Sequence, residues 1–373
     1  MSSKLFSPFS IRGAEYANRI AVSPMAQYKG DGGAATRWLD QHLGSFAVSN
    51  PGLVIMESTS VEREGWGSLA CLALHSDEHE SAIRQVLENI RTYSDTPFGI
   101  QFGHSGRKGS GQTPAGGRGP LLPENGGWQV CGPSAIPFAD DYPVPDELDD
   151  KGLARVRESY RQAAERVGRL DLSLVELHGA HGYLLHTFLS PISNQRSDQY
   201  GGSLEKRTAF VAEIVSAVRK ELPDERVLGI RLNAHDYVEG GLEFEDTIKI
   251  AHILKDAGLD YVCVSAGAIS GDARVSATPG YLVPYASELK KRVGIHAFVT
   301  GMVLQAQQAE EIIADEHADM VEIARGFLDD PRWVWHAAEA LGVDLDYLMQ
   351  YWMAKPERWP GARIIRGSSV SAG

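Results

Sequence analysis

The sequence contains little cysteine. Three cysteines occur in 373 residues, namely Cys71, Cys131 and Cys263, and no two of them form a C-x-x-C pair. Iron–sulfur clusters and structural zinc sites need several closely spaced cysteine or histidine ligands. Both kinds of site are therefore excluded, and scattered single thiols favour a reducing compartment.

Signals for membranes, secretion and nucleic acids are also missing. The chain has no apolar run long enough to span a bilayer, no secretory segment near Met1 and no N-x-S/T acceptor site. Its 49 acidic residues outnumber the 36 basic ones, which gives a formal net charge of −13. A nucleic-acid binder would show a basic face or stripe. We therefore expect a cytoplasmic protein that acts on a small molecule and binds neither nucleic acid nor a membrane.

Motifs that bind nucleotide phosphates are absent or poor. No G-x-x-x-x-G-K-[ST] segment occurs, and the nearest approach to a dinucleotide fingerprint, Gly65–Ala70, carries the bulky Trp66 in its turn. The fingerprint needs a tight turn in which the backbone approaches a pyrophosphate closely. A phosphate-bearing cofactor must therefore be held by other loops.

Short apolar runs alternate with amphipathic segments along nearly the whole chain. The runs predict eight strands: Ile20–Ser23, Leu53–Glu57, Phe98–Gln101, Leu174–Leu177, Val227–Leu232, Tyr261–Ser265, Ala297–Thr300 and Met320–Ile323. The amphipathic segments predict eight helices: Arg37–Val48, Glu78–Tyr93, Gly152–Arg169, Leu204–Leu222, Glu245–Ala257, Tyr281–Arg292, Ala306–Asp315 and Pro331–Leu341. Strands that alternate with helices form parallel sheets, and eight such units favour a closed (β/α)8 TIM barrel. A doubly wound sheet is the alternative.

Three segments depart from this alternation. A Gly/Pro-rich stretch, Gly103–Asp150, follows the third strand, and a second insertion, His178–Gly202, follows the fourth. The first would cover the C-terminal face of the barrel, where barrel enzymes have their active sites. The third segment is an aromatic-rich tail. We expect one barrel domain over residues 1–341 and a C-terminal tail over 342–373.

The loops after the seventh and eighth strands are the usual phosphate site of such barrels. Here they read Thr300-Gly301-Met302 and Ala324-Arg325-Gly326, each shortly before a helix. Gly301 would let the backbone approach an anion closely, and Arg325 could add a bidentate contact. Turn glycines and a surface arginine are the plainer interpretation.

Two histidines and a tyrosine follow the fourth strand in the segment E-L-H-G-A-H-G-Y. His178 and His181 could be metal ligands, although no H-E-x-x-H pattern accompanies them. They could also be buried structural residues. As a pair of N–H donors they could stabilise negative charge on a carbonyl or nitro oxygen, with Tyr183 as a general acid. The position at a strand end favours this third interpretation over the metal site.

A long and specific segment resembles a known family. The run from Glu176 to Arg207, E-L-H-G-A-H-G-Y-L-L-H-T-F-L-S-P-I-S-N-Q-R-S-D-Q-Y-G-G-S-L-E-K-R, is similar to the Old Yellow Enzyme family of FMN-dependent ene-reductases. The resemblance extends from Leu5 to about Pro331. The motifs S-P-M-A-Q-Y, beginning at Ser23, and H-S-G-R-K, beginning at His104, resemble the thermophilic-like, bacterial class II branch.

The resemblance implies a set of FMN-binding residues at strand ends. Those beside the isoalloxazine ring would be Pro24, Met25, Ala26, Ser58 and Gln101. Those near N1, the ribityl chain and the phosphate would be Arg231, Gly301, Ala324 and Arg325. In this family Ala26 stands where Cys or Thr is usual, and its methyl group cannot make their hydrogen bond to the flavin.

The resemblance also implies the reaction. NADPH or NADH would reduce the flavin, and hydride would then pass from flavin N5 to an activated C=C bond of an α,β-unsaturated carbonyl or nitro compound. His178 and His181, helped by Tyr28, would bind the activating oxygen, and Tyr183 would donate the proton. The alternatives are a flavin barrel acting on another electrophile, by nitro xenobiotic reduction or oxidative desaturation, and a non-redox barrel that binds a phosphorylated ligand.

The tail bears on the oligomeric state. In this branch a C-terminal aromatic residue or arginine often completes the pocket of a neighbouring subunit, which implies a dimer or tetramer. The candidates are Tyr351, Trp352, Arg358 and Trp359. Packing of these aromatic residues within their own subunit is the alternative.

Overall fold

Eight parallel strands close into a barrel in the computed structural model, which describes residues 3–117 and 119–366. The strands are β1 Phe9–Ile11, β2 Ala14–Tyr16, β3 Ile20–Val22, β4 Leu53–Ser60, β5 Phe98–Gly103, β6 Cys131–Gly132, β7 Asp146–Glu147, β8 Leu174–Gly179, β9 Val227–Asn233, β10 Tyr261–Ser265, β11 His296–Val299 and β12 Met320–Ile323. The barrel runs β3-β4-β5-β8-β9-β10-β11-β12, and β12 pairs again with β3.

Helices lie between the barrel strands. They are α1 Arg37–Ala47, α2 Asp77–Arg91, α3 Asp150–Leu170, α4 Leu184–Leu189, α5 Leu204–Glu221, α6 Phe244–Asp256, α7 Val283–Val293, α8 Ala306–Ala314, α9 Arg325–Asp329, α10 Trp333–Ala340 and α11 Gly361–Arg366. Short 3-10 turns occur at Arg63–Gly65, Gly106–Lys108, Pro114–Gly116, Pro123–Asn125 and Met349–Ala354. The predicted (β/α)8 TIM barrel is confirmed, with all eight predicted barrel strands.

The barrel interior is apolar at one end and polar at the other. Aromatic side chains fill its N-terminal end, where the rings of Tyr261 and Phe298 stack with centroids 4.0 Å apart and Phe9 of the β1–β2 hairpin closes the bottom. Near the opposite end, Glu176 and Arg231 point inward and are buried. Because the bottom is plugged, a ligand site is left only at the C-terminal end of the strands.

The Gly/Pro-rich insertion contains two short strands and several 3-10 turns. It begins at His104, whose Nε2 lies 2.8 Å from Glu62 Oε1, and Arg155 of α3 lies 2.6 Å from the same oxygen. Burial would raise the pKa of Glu62, but His104 and Arg155 outweigh burial and lower it. This buried carboxylate therefore anchors the start of the insertion to the barrel and to α3.

The C-terminal tail packs partly on its own barrel. Tyr347 stacks on Trp335 of α10 with ring centroids 4.1 Å apart, and Tyr351 meets the same ring at 5.5 Å. Lys355 is buried and donates to Asp344 at 3.0 Å. The predicted tail over 342–373 includes residues 367–373, which lie outside the described residues. Among the described helices, none is long and apolar enough to cross a membrane.

Candidate active site

The segment after β8 makes an unusual turn. His178 is the next-to-last residue of β8 and pairs in register with Arg231 of β9. His181 and Gly182 then adopt left-handed backbone conformations, with φ values of +59° and +74°. Left-handed backbone is uncommon for a residue with a side chain, so the surrounding contacts must hold His181 in place.

The two histidines and Tyr183 pack as one cluster. The His178 ring is 5.1 Å from the His181 ring and 4.6 Å from the Tyr183 ring, both edge to face. The Ala180 N–H points to His178 Nδ1 at 3.4 Å, so the proton of the neutral ring belongs on Nε2. His181 Nε2 lies 2.5 Å from the hydroxyl of Ser265. The structure thus brings together the three residues singled out in the sequence.

Both histidines are neutral at pH 7. Burial lowers the pKa of His178 well below its ordinary value of 6.5, and the positive charges of Arg231 and Lys108 lower it further. The pKa of His181 is lowered in the same direction and also mainly by burial. Neutral imidazoles can donate N–H groups to an oxygen without presenting a full positive charge.

Tyr183 is the third member of this cluster. Burial, with a smaller contribution from Tyr28, raises the pKa of its phenol to about 12. The ammonium of Lys108 lies 4.9 Å from the Tyr183 ring centre and donates a hydrogen bond of 2.8 Å to the His181 carbonyl. The phenol therefore stays protonated throughout the physiological range, and Lys108 links it to the strained turn.

A buried histidine–aspartate pair supports the turn from behind. The Gly182 N–H donates to His186 Nδ1 at 2.9 Å, so the proton of a neutral His186 ring is on Nε2. That Nε2 lies 2.9 Å from an oxygen of Asp236, and both side chains are fully buried. The left-handed turn is thus tied to the segment after β9.

Asp236 accepts several further hydrogen bonds. Its carboxylate accepts from Ser190 Oγ at 2.8 Å, from Asn233 Nδ2 at 3.1 Å and from the Leu242 N–H at 2.9 Å. Burial would raise its pKa, but His186 and these hydrogen bonds outweigh burial and lower it from 3.8 to about 2.

Replacing Asp236 with alanine should destabilise the protein by roughly 3–5 kcal/mol, because buried donors lose their charged acceptor. A carboxyl with a lowered folded-state pKa stabilises above its unfolded value of 3.8, and this contribution is lost as the pH falls towards 2. The difference in free energy of unfolding between wild type and Asp236→Ala, measured with urea, should therefore become smaller as the pH falls from 3.8 towards 2. The exposed Asp272→Ala is the control. A gap under 1 kcal/mol at pH 7 would contradict this role.

A cavity of about 580 Å³ opens beside the cluster. Its lining includes residues from the ends of several strands: Ser23, His181, Arg231, Thr300, Glu322 and Ile323. The predicted phosphate loops contribute Gly301, Ala324 and Arg325 to the same cavity. Its volume is in the range of small-molecule and cofactor sites. The cavity thus offers an arginine, a glycine loop and a histidine.

Other predicted residues do not line this cavity but are connected to it through the chain or through hydrogen bonds. Gln101 is buried within β5, two residues before its end, and donates to Glu176 at 2.7 Å. It pairs in register with Ser58 of β4. Glu176 in turn accepts from Arg231 Nε at 3.0 Å, which connects Gln101 to the cavity wall. The three residues Pro24, Met25 and Ala26 follow β3 directly after the cavity residue Ser23, and Ala26 is exposed. Tyr28 follows them, with a left-handed φ of +53°.

The sequence did not single out the groups that hold His181. Ser265 ends β10 and Asn233 ends β9, and Asn233 Oδ1 accepts from the His181 N–H at 3.3 Å. Lys108 belongs to a motif quoted for the resemblance, but no role was assigned to it. Ser265 and Asn233 could have been found from the sequence, because each is a polar residue at the last position of a barrel strand.

Sequence comparisons identify the family. A model of the NADH:flavin oxidoreductase / NADH oxidase family matches residues 4–343. The chain is 36% identical over 353 residues to an NADPH dehydrogenase of Geobacillus sp. strain WCH70, covering 94% of this chain and 98% of that protein. It is 36% identical over 351 residues to an NADPH dehydrogenase of Listeria innocua, with coverage of 94% and 98%.

Solved structures share the fold. Morphinone reductase superposes with a TM-score of 0.76 at 24% identity, covering 93% of this chain and 91% of that one. A 2-naphthoyl-CoA reductase in complex with 2-naphthoyl-CoA gives a TM-score of 0.81 at 24% identity, and the match covers 92% of this chain but 53% of that longer one.

The barrel, the residues at its C-terminal end and the match over nearly the whole chain agree with the resemblance found in the sequence. The chain belongs to the NADH:flavin oxidoreductase / NADH oxidase family, which is the Old Yellow Enzyme family, and is an FMN-dependent NAD(P)H oxidoreductase.

Proposed function

We propose that this oxidoreductase reduces activated C=C bonds of α,β-unsaturated carbonyl or nitro compounds. The observation that carries the proposal is the cluster of two neutral histidines and a protonated tyrosine beside the cavity. Two N–H donors and one acid are what an electron-poor alkene needs, because negative charge develops on its activating oxygen and a proton must be added to carbon.

The residues around the cavity fit FMN. Gly301 has a φ of +100°, and a Cβ there would lie 3.0 Å from the Leu282 side chain, so this loop requires glycine beside an anion. Arg325 supplies a cation at the same end, and we propose that it binds the phosphate with Gly301 and Ala324. When bound, FMN accepts a hydride equivalent from a nicotinamide and donates it to carbon.

We propose that the flavin ring lies between that phosphate end and the histidines. Arg231 lines the same cavity. The residues implied for the ring are Pro24, Met25 and Ala26, which follow β3, and Ser58 and Gln101, which lie in the last three residues of β4 and β5. This arrangement would place the reacting face of the ring towards His178 and His181.

The histidines would orient and polarise the substrate. His178 has its Nδ1 directed to a backbone N–H, which leaves Nε2–H to donate to the activating oxygen. The hydroxyl of Ser265 contacts Nε2 of His181 and holds the orientation of that ring. Tyr28, which is close enough to Tyr183 to contribute to the raised pKa of its phenol, would complete the substrate pocket.

Tyr183 would protonate the α-carbon of the substrate. Its pKa of about 12 keeps the proton on the phenol until the negative charge in the transition state makes transfer favourable. The edge-to-face contact of the Tyr183 and His178 rings supports this role, because it holds the phenol beside the histidine that would bind the activating oxygen.

The test is an anaerobic assay in two steps. We propose NADPH as the donor, because the relatives are named NADPH dehydrogenases, and NADH serves as the comparison. Protein reduced by either nicotinamide is mixed with enones, maleimides and nitroalkenes. Reoxidation with saturated products supports the proposal. Reoxidation only by nitroaromatic compounds, formation of desaturated products, or absence of a flavin absorption band would reject it.

We further propose one barrel domain over residues 1–341 and a homo-oligomer formed through the tail. Tyr351 packs on its own barrel, whereas Met349, Met353, Ile364 and Ile365 are at least 67% exposed. Exposed apolar residues at this density favour burial against another copy. Light scattering of the purified protein measures the oligomeric state. The three free cysteines support the proposal of a cytoplasmic location.

A further inference from the structure

Two buried carboxylates share one arginine at the wall of the cavity. Arg231 donates from Nε to Glu176 Oε1 at 3.0 Å, and its Nη2 contacts Glu322 Oε2 at short range. Ser23 Oγ is 3.2 Å from the same Nη2 and 3.1 Å from Glu322 Oε2. The three charged side chains are nearly inaccessible to solvent.

The two carboxylates differ in how well they are satisfied. Glu176 accepts from Gln101 at 2.7 Å and from the Tyr261 hydroxyl at 3.1 Å, in addition to Arg231. Glu322 Oε1 is buried and has no hydrogen-bond partner among the residues that the structure describes.

Ligand atoms of Glu176, Glu322 and the thiol of Cys263 lie within 4.8 Å of one another, as in a metal site. The guanidinium of Arg231 already supplies the cation between the two carboxylates, so this group of residues is an ion-pair network rather than a metal centre.

The charges in this network do not balance. One guanidinium faces two carboxylates, which gives a net charge of −1 when both are ionised, at buried positions in the wall of the cavity. Two carboxylates that share such a site cannot both ionise easily. Burial raises the pKa of Glu176 to about 7, with Arg231 opposing and Glu322 adding to the rise. The uncharged neighbours Tyr261 and Cys263 have raised pKa values, again mainly because of burial, and hold their protons.

We propose that Glu322 cancels the positive charge that Arg231 would otherwise present to the flavin, and thereby makes the bound flavin harder to reduce. The inference rests on the proposed FMN site, in which Arg231 and Glu322 line the cavity. A flavin gains negative charge on reduction, which a lone guanidinium stabilises and a guanidinium shared by two carboxylates does not. Glu322 is thus a positioning residue for charge, acting through Arg231.

The effect should depend on pH. As the pH rises through about 7, Glu176 loses its proton and the network becomes more negative. A more negative network disfavours the reduced flavin further. The reduction potential of the wild-type protein should therefore fall more steeply with pH than that of a protein with a single carboxylate, because reduction is accompanied by proton uptake at the pair.

The test compares Glu322→Gln with wild type, both loaded with FMN. Midpoint potentials are measured by equilibration with reference dyes from pH 6 to pH 9, and FMN binding is measured in both redox states. We expect a more positive midpoint potential in the variant. Its affinity for reduced relative to oxidised FMN should increase at least about tenfold. The difference in midpoint potential between variant and wild type should widen as the pH rises.

The matched control is Asp319→Asn. Asp319 is a mostly buried carboxylate directly before β12, but it pairs with Lys290 and His296 at the opposite end of the barrel. Its removal should alter stability and leave the potential unchanged. A second measurement, which needs no variant, is the number of protons that the wild type takes up on reduction. We expect more than one proton for each two electrons near pH 7.

The outcomes separate the inference from the proposed function. A wild-type protein that binds no FMN contradicts the proposed function. If the wild type binds FMN and reduces enones but Glu322→Gln leaves the potential and its pH dependence unchanged, the inference alone is overturned. Uptake of a single proton for each two electrons at every pH overturns it as well, including when Glu322→Gln does not fold.

Discussion

Replacing both His178 and His181 with alanine should abolish enone reduction while FMN stays bound. In the proposed arrangement each neutral imidazole would donate an N–H group to the activating oxygen, and removing one such donor typically costs about 10²–10³ in rate. Because the two rings pack on each other, their losses should not be simply additive. We expect the rate of reoxidation by 2-cyclohexenone to fall by at least about 10³-fold.

The measurement separates binding of substrate from binding of flavin. FMN content is read from the absorption spectrum, enone binding from the spectral change on titration, and reoxidation from stopped-flow absorbance. His317→Ala is the control, since His317 is a partly buried histidine that contacts Ser287 away from the cavity. Loss of FMN in the double variant, with no loss in the control, would indicate a structural pair and contradict the proposed oxygen-binding role.

The second large effect should come from Tyr183→Phe. The phenylalanine keeps the ring that packs on His178 but removes the proton, so reoxidation by an enone should slow by about 10²–10⁴-fold. Reduction by NADPH needs no acid from the protein and should be unaffected. Since the pKa of Tyr183 is about 12, its ionisation should leave the wild-type reoxidation rate unchanged between pH 6 and pH 9.

Stopped-flow measurement of the two half-reactions tests this assignment. The control is Tyr93→Phe, since Tyr93 is a partly exposed tyrosine remote from the cavity. A Tyr183→Phe protein that is reoxidised by enones at the wild-type rate would show that water supplies the proton. A fall in both half-reactions would indicate that the substitution disturbs the site as a whole.

The barrel could be predicted because apolar residues recur along the sequence with a different spacing in its strands and in its helices. Eight buried apolar runs, each with an amphipathic helix after it, leave few architectures open, and the boundaries differ from those predicted by only a few residues. The β1–β2 hairpin and α4 were not predicted. Both are short, and they form because tertiary contacts stabilise them, as when Phe9 packs under the barrel against Phe298.

The candidate site could be predicted in part. His178, His181 and Tyr183 lie close together in sequence, so their spacing and the family motif were enough to group them. Ser265, by contrast, is 84 positions from the histidine that it contacts. No local pattern reveals such a pairing, because it arises only when the barrel brings β8 and β10 to the same end.

The charge network could not be predicted either. Glu322 lies in an apolar strand, where the sequence M-V-E-I gives no sign that the side chain points into the barrel. Its contact with Arg231 follows from barrel closure, which brings β12 and β9 to face the same interior. Because Glu322 is buried, its charge acts more strongly on Arg231 than the charge of an exposed carboxylate would.

The central claim is that hydride is added to the β-carbon of an electron-poor alkene while a proton is added to its α-carbon. It is tested most directly by reducing 2-methyl-2-cyclohexenone with a nicotinamide donor deuterated at C4, in ordinary water, and locating the deuterium by NMR. The account predicts deuterium on the β-carbon and solvent-derived hydrogen on the α-carbon. Deuterium on the carbonyl carbon, or no saturated product from a protein that holds FMN and is reduced by the donor, would contradict it.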